Sequence, residues 1–138
     1  MRNSLYILIV SFCFFGCTKS QDTNIPLTTV NHTIYIDNPA YISVSVPGSW
    51  MYLNGGSRGL LLYRASNSEF IAYDRHCTYE PNNNCAQISV DASNIIAIDD
   101  CCGSEFLITD GSVIKNPASL PLKRYQTSFD GNVLQIFN

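Results

Sequence analysis

Asp74-Arg75-His76-Cys77-Thr78-Tyr79, then Cys85, then Asp99-Asp100-Cys101-Cys102-Gly103-Ser104-Glu105-Phe106, then Asn116-Pro117-Ala118-Ser119-Leu120-Pro121-Leu122: the reading of this stretch decides the fold. It holds four of the six Cys of the chain, two in each of two separate segments. Short runs of β-branched and aromatic residues surround both segments. Before the first lie Gly59 to Arg64, a near-continuous apolar run expected to be a strand buried on both faces, and Glu69 to Tyr73, its partner, which delivers Cys77. Between the segments, Ala86 to Val90 and Ile95 to Ile98 are two short strands joined at Asp91-Ala92-Ser93-Asn94.

Further out the pattern continues. Thr33 to Ile36, Tyr41 to Val46 and Trp50 to Leu53 read as strands, punctuated by Pro39, Pro47-Gly48 and Asn54-Gly55-Gly56. Phe106 to Ile108 and Ser112 to Ile114 flank Asp110-Gly111; Lys123 to Ser128 and Val133 to Phe137 flank Asp130-Gly131. Both are read as type I′ hairpins. No stretch after residue 16 shows a helical period. The expected class is all-β, a sandwich or barrel of small antiparallel sheets. Hydrophobic residues make up 46% of the 138, enough for a packed core without metal, and only 14% are charged, with no basic cluster. A nucleic-acid partner is not expected, because it would need Lys and Arg against phosphates.

In these loops the chain resembles the Rieske [2Fe-2S] domain. That family places Cys-x-His in one loop and Cys-x-x-His in a second, often within Cys-Pro-Cys-His-Gly-Ser-x-Phe, followed by Gly-Pro-Ala-x-x-Pro-Leu. Two Cys hold one iron and two His the other. The resemblance covers about Tyr41 to Asn138 and includes Asn54-Gly55-Gly56 and Phe70-Ile71-Ala72-Tyr73-Asp74-Arg75. It implies small antiparallel sheets with two loops forming a tip. The frame is kept, with Asn116 where Gly is usual, but the ligand positions read Cys77, Tyr79, Asp99 and Cys102. A phenol with a pKa near 10 is mostly protonated at neutral pH, and a carboxylate suits harder ions than sulfide-bridged iron. No cluster and no metal are therefore expected; the alternative is a [2Fe-2S] electron carrier with unusual ligands. His76 is read as a loop-surface residue pointing away from the site. Asp99-Asp100 read as solvated carboxylates, Tyr73, Tyr79 and Tyr125 as packing residues, and Ser104 as a turn former. Ser104 with His76 lacks the pattern of a hydrolase, and no enzyme activity is expected.

The N-terminus reads as an export signal. Arg2 precedes an apolar run, Leu5 to Phe15, too short to span a bilayer, which ends at Gly16-Cys17. The Gly-Cys end resembles a bacterial lipoprotein box, although Phe14 stands where Leu is usual. It implies a signal peptide over 1–16, lipid on Cys17, a polar tether over 17–32 and the Rieske-like domain over 33–138. Localisation follows: a lipoprotein anchored at the cell envelope, facing the periplasm or the exterior, with the membrane and an unknown protein as partners. The Asn31-His32-Thr33 sequon reads as chance in a bacterial protein.

Export also means an oxidising compartment. With Cys13 removed and Cys17 lipidated, Cys77, Cys85, Cys101 and Cys102 remain, and four Cys permit three pairings. A vicinal Cys101–Cys102 bond is disfavoured; the crossed pairing Cys77–Cys101 with Cys85–Cys102 stays open. Many Rieske domains tie their loops with an extra Cys in each, and Cys85 and Cys101 match those positions. The resemblance thus implies Cys85–Cys101, and the expected second bridge is Cys77–Cys102. A thiol–disulfide role for Cys77 and Cys102 would need a depressed thiol pKa, for which Arg75 and His76 are the available cations.

Overall fold

The structure, a computed structural model, describes residues 24–138. The expected signal peptide, Cys13 and Cys17 lie outside the described residues. Ten strands follow in chain order: β1 (Asn31–Tyr35), β2 (Trp50–Leu53), β3 (Leu60–Arg64), β4 (Phe70–Asp74), β5 (Ile88–Val90), β6 (Ile96–Asp99), β7 (Glu105–Leu107), β8 (Val113–Lys115), β9 (Arg124–Phe129) and β10 (Val133–Phe137). They form a six-stranded sheet, β1-β10-β9-β4-β3-β2, and a four-stranded sheet, β5-β6-β7-β8. All neighbours are antiparallel. The expected all-β class of small antiparallel sheets is the observed one.

The apolar run at β3 does what a strand buried on both faces should do. All five residues of β3 and all five of β4 are buried. Side chains alternate between faces with period two, so the pair feeds two cores. Leu61, Tyr63, Ile71 and Tyr73 point into a core shared with Ile88, Ala97, Phe106 and Leu122, beneath the four-stranded sheet. Leu60, Leu62, Phe70 and Ala72 point the other way, into a core with Ile34, Leu134 and Ile136 from the far end of the six-stranded sheet. That sheet must therefore curl for its two ends to share one core.

Several local expectations are corrected. Tyr41 to Val46 is not a strand: Pro39–Val44 is a 3-10 turn, capped by Asn38, whose side chain accepts from the Ala40 N–H at 2.9 Å. Pro39 sits at the start of the turn, where a missing N–H costs nothing. The carbonyls of Val44 and Ser45 accept from the Arg64 guanidinium instead of from a neighbouring strand. The two Asp-Gly turns are not type I′, which needs positive φ at both central residues. Gly111 and Gly131 are left-handed, whereas Asp110 and Asp130 are not. Each Asp carboxylate instead accepts backbone N–H groups after its Gly, Ser112 for Asp110 and both Asn132 and Val133 for Asp130.

The stretch read as tether meets the domain before residue 33. Ile25 and Val30 are buried, the Val30 N–H donates to Asn138 Oδ1, and Lys123 Nζ donates to the Pro26 carbonyl. Among the described residues no helix is long and apolar enough to cross a membrane.

Candidate functional site

Two loops meet at one end of the molecule. The first leaves β4 and runs through Cys77 to Cys85; the second joins β6 to β7 across Asp99–Ser104. The first is held from below by an acid that the strand pattern hides. Asp74, fully buried at the end of β4, accepts from the N–H groups of Ser57, Arg58 and His76 and from the Tyr125 hydroxyl. It thereby ties the β2–β3 connection, β4 and β9 to one carboxylate. Gly56 is required there: with φ +63, a Cβ would also sit 2.8 Å from Asp74 Oδ2. From the same connection Arg58 reaches up to the Asn83 and Asn84 carbonyls. Gly56 and Asp74, one from each of two short matches, are thus parts of one support.

His76 is not a surface side chain. It is 3% exposed, with Nδ1 2.9 Å from Ser57 Oγ and Nε2 2.7 Å from the Pro81 carbonyl. A carbonyl can only accept, so Nε2 carries the hydrogen and Nδ1 accepts from the serine. Burial lowers its pKa, in keeping with this neutral, two-bonded ring. As expected, it does not address the space between the loops.

The second loop folds about Asp99. The Gly103 N–H donates to the Asp99 carbonyl, the Asp99 N–H to the Ser104 carbonyl, and the Cys101 N–H to Asp99 Oδ1 at 2.8 Å. Asp99 is 1% exposed; the solvated pair expected at Asp99-Asp100 is corrected to one buried and one exposed carboxylate. Ser104 does more than turn the chain. Its buried Oγ accepts from the Ala118 N–H at 2.9 Å and lies 3.1 Å from Cys102 Sγ. The Pro-Ala segment, entered through a cis Asn116-Pro117 bond, also accepts from Thr78 Oγ1 at the Leu120 carbonyl. It therefore braces both loops.

Cys85 and Cys101 form a disulfide between the loops, as expected. Cys77 and Cys102 do not: they are free thiols with sulfurs 3.9 Å apart, about twice the 2.05 Å of a bond. The Cys102 thiol is instead within donating distance of Asp99 Oδ2, 3.2 Å, and of Ser104 Oγ. Burial, and next the Asp99 carboxylate, push the Cys77 thiol well above its ordinary pKa. That opposes the depressed pKa an exchange-active thiol needs. Arg75 supplies no compensating charge; it stacks 3.7 Å from the Tyr52 ring centroid and donates to the Ile88 carbonyl.

Of the four expected ligand positions, three converge. The ligand atoms of Cys77, Asp99 and Cys102 all lie within 4.8 Å of one another. Tyr79 stays at the half-exposed rim, its pKa raised chiefly by the charge of Glu80. A [2Fe-2S] cluster takes two donors on each of two irons, thiolate or imidazole. Three donors around one point, one of them a carboxylate, and a protonated phenol at the rim do not fit it. Tyr73 and Tyr125 are buried core residues, as the packing reading has it. The sequence did not reveal Asp74, Ser57 or Thr78 as parts of this support. Only Asp74 carries a local signal, as an acid ending a buried strand.

No protein-family model and no curated protein sequence matches this chain. Among solved structures it is similar to the cyanobacterial plasma membrane Rieske protein PetC3 from Synechocystis PCC 6803. The TM-score is 0.56 and the identity 25%, over 80% of this chain and 100% of that one. The ferredoxin of carbazole 1,9a-dioxygenase from Nocardioides aromaticivorans IC177 also matches, with TM-score 0.48 and 15% identity over 80% of this chain and 98% of that one.

Proposed function

Since the chain has a Rieske-like fold whose ligand positions read Cys77, Tyr79, Asp99 and Cys102, we propose that it is an exported, lipid-anchored protein that does not carry the [2Fe-2S] cluster. Its role is binding or structural at the cell envelope, with the tip offered to a partner and no reaction of its own. The observation that carries this reading is the donor set: no His faces the site, His76 is used by Ser57 and Pro81, and one disulfide already ties the loops. The Gly16-Cys17 end of the apolar run supports lipidation, and the plasma-membrane source of PetC3 agrees with a membrane-bound setting.

Iron and acid-labile sulfide analysis, visible absorption and EPR of anaerobically purified protein test it. The expected result is no labile sulfide and no [2Fe-2S] signal. Stoichiometric iron with sulfide would replace this reading by the alternative, an electron carrier with unusual ligands. Intact mass tests the anchor: a lipid-sized increment on a chain beginning at Cys17 is expected.

A further inference from the structure

We propose that the tip is a mononuclear site for a thiophilic divalent cation, Zn2+ by its chemistry, held by Cys77, Asp99 and Cys102 with one position open. The inference rests on the cluster being absent and goes beyond it. A tetrahedral zinc lies about 2.3 Å from each sulfur and about 2.0–2.2 Å from a carboxylate oxygen, which sets two sulfur ligands about 3.8 Å apart and sulfur and oxygen about 3.5 Å apart. Here Cys77 Sγ and Cys102 Sγ are 3.9 Å apart, and Cys102 Sγ is 3.2 Å from Asp99 Oδ2. Those two spacings are within a few tenths of an ångström of the zinc values, and the third pair, Cys77 with Asp99, lies within 4.8 Å. A modest inward shift of Cys77 or Asp99 therefore closes the three donors on one ion.

A second observation points to the same cation. Asp99 is a carboxylate 1% exposed, and no cationic side chain among the described residues pairs with it. The two ion pairs among the described residues, Lys115–Glu105 and Arg124–Glu69, are elsewhere. A buried charge without a counter-charge is costly, and a bound dication supplies one. Binding M2+ by two thiols and one carboxylate releases two protons and leaves the site with a net charge of −1.

The surroundings can hold the ligands in place once the ion supplies the positive charge. Ser104 Oγ accepts from the Ala118 N–H, so its own hydrogen is free to donate to Cys102 sulfur. Asp99 Oδ1 is fixed by the Cys101 N–H, leaving Oδ2 for the ion. Such partners orient ligands and tune affinity. Cys77 and Asp99 are buried and Cys102 is half-exposed, so the open position faces solvent on the Cys102 side. Two sulfurs with one oxygen favour zinc over calcium or magnesium.

The test is titration of the full chain, its Cys85–Cys101 bridge intact, with Co2+ and then Zn2+ in oxygen-free buffer. Expected are one ion per chain, a sulfur-to-cobalt charge-transfer band with tetrahedral visible bands, their loss on adding Zn2+, and protection of two thiols from alkylation. Cys102→Ser and Asp99→Asn should each weaken binding at least roughly tenfold. Circular dichroism of the metal-free variants separates misfolding from ligand loss, and Cys102→Ser, at a half-exposed position, is the decisive variant. Absence of the charge-transfer band, or a Cys102→Ser variant that binds like the parent, overturns the site. Acid-labile sulfide in the protein as purified overturns the cluster-free reading instead, so the two failures are told apart.

Discussion

Tyr73 is the residue whose chemistry is least served by its position. Its side chain is fully buried, and its hydroxyl has no hydrogen-bond partner among the described residues. The ring lies against Gly111: a Cβ there would sit 2.7 Å from Tyr73 Cε1. The left-handed φ and the ring both demand glycine, so the Asp110-Gly111 turn was legible in the sequence while its reason for Gly was only half so. A buried hydroxyl without a partner costs roughly 1–3 kcal/mol. Tyr73→Phe should therefore raise stability by about 1 kcal/mol at neutral pH, measured by urea denaturation. Burial raises the folded-state pKa of this phenol above its unfolded value near 10. The neutral form is the one the fold prefers, so this contribution is intact below about pH 10 and is lost as pH rises toward the folded value. The parent should weaken more steeply than the Phe variant in that alkaline window. A Phe variant less stable than the parent at pH 7 would mean that the hydroxyl has a partner after all.

At the scale of the element, the two loops are supported unequally. The Cys85–Cys101 bond closes a segment with a sequence separation of 16, worth about 3 kcal/mol in chain entropy. Cys77 is an unbonded buried thiol, so in the metal-free protein, where the two variants are compared, its loss removes packing only. Cys85→Ala should destabilise by about 2–5 kcal/mol, and Cys77→Ala by about 1 kcal/mol, nearer the cost of a small core truncation. Hydrogen exchange under non-reducing conditions should show amides of residues 77–86 and 99–104 exposed in the first variant and protected in the second, with β3 and β4 protected in both. Equal loop exchange in the two variants would mean that Cys77 is bonded in solution. The loops' existence, and the pairing of Cys85 with Cys101, were legible through the family resemblance. Their support was not, because Asp74 acts on Ser57, Arg58 and Tyr125, which adjoin it only in three dimensions.

Across the whole molecule, β3 and β4 are common to both cores. Leu61 faces the core beneath the loop-bearing sheet, and Leu62 the core inside the curled sheet. Both are fully buried, so Leu61→Ala and Leu62→Ala should each cost about 2–5 kcal/mol. Because the strands are shared, either change should lower one cooperative transition rather than melt one core alone. Circular dichroism and intrinsic fluorescence should then report coincident midpoints for each variant. Separate midpoints would show that the cores unfold independently.

The sequence by itself determined the all-β class, the position of each observed strand to within about two residues, and the loop frame; strands and turns follow from local period-two patterning and Gly chemistry. It also determined that Cys77, Tyr79, Asp99 and Cys102 stand where the resemblance implies ligands, since that is a matter of residue type. The exception in the strand pattern was Tyr41 to Val46, alternating like a strand but lacking a neighbour to pair with, so the cap at Asn38 and the Arg64 guanidinium decided it. Tertiary structure alone decided that His76 is buried, that Asp99 is buried with no cationic side chain beside it among the described residues, and that Cys77, Asp99 and Cys102 converge while Tyr79 does not. The physical reason is that a side chain's solvation and partners come from segments distant in sequence. Residue type states what a group can bind, and only the packing of one loop on another states what it meets.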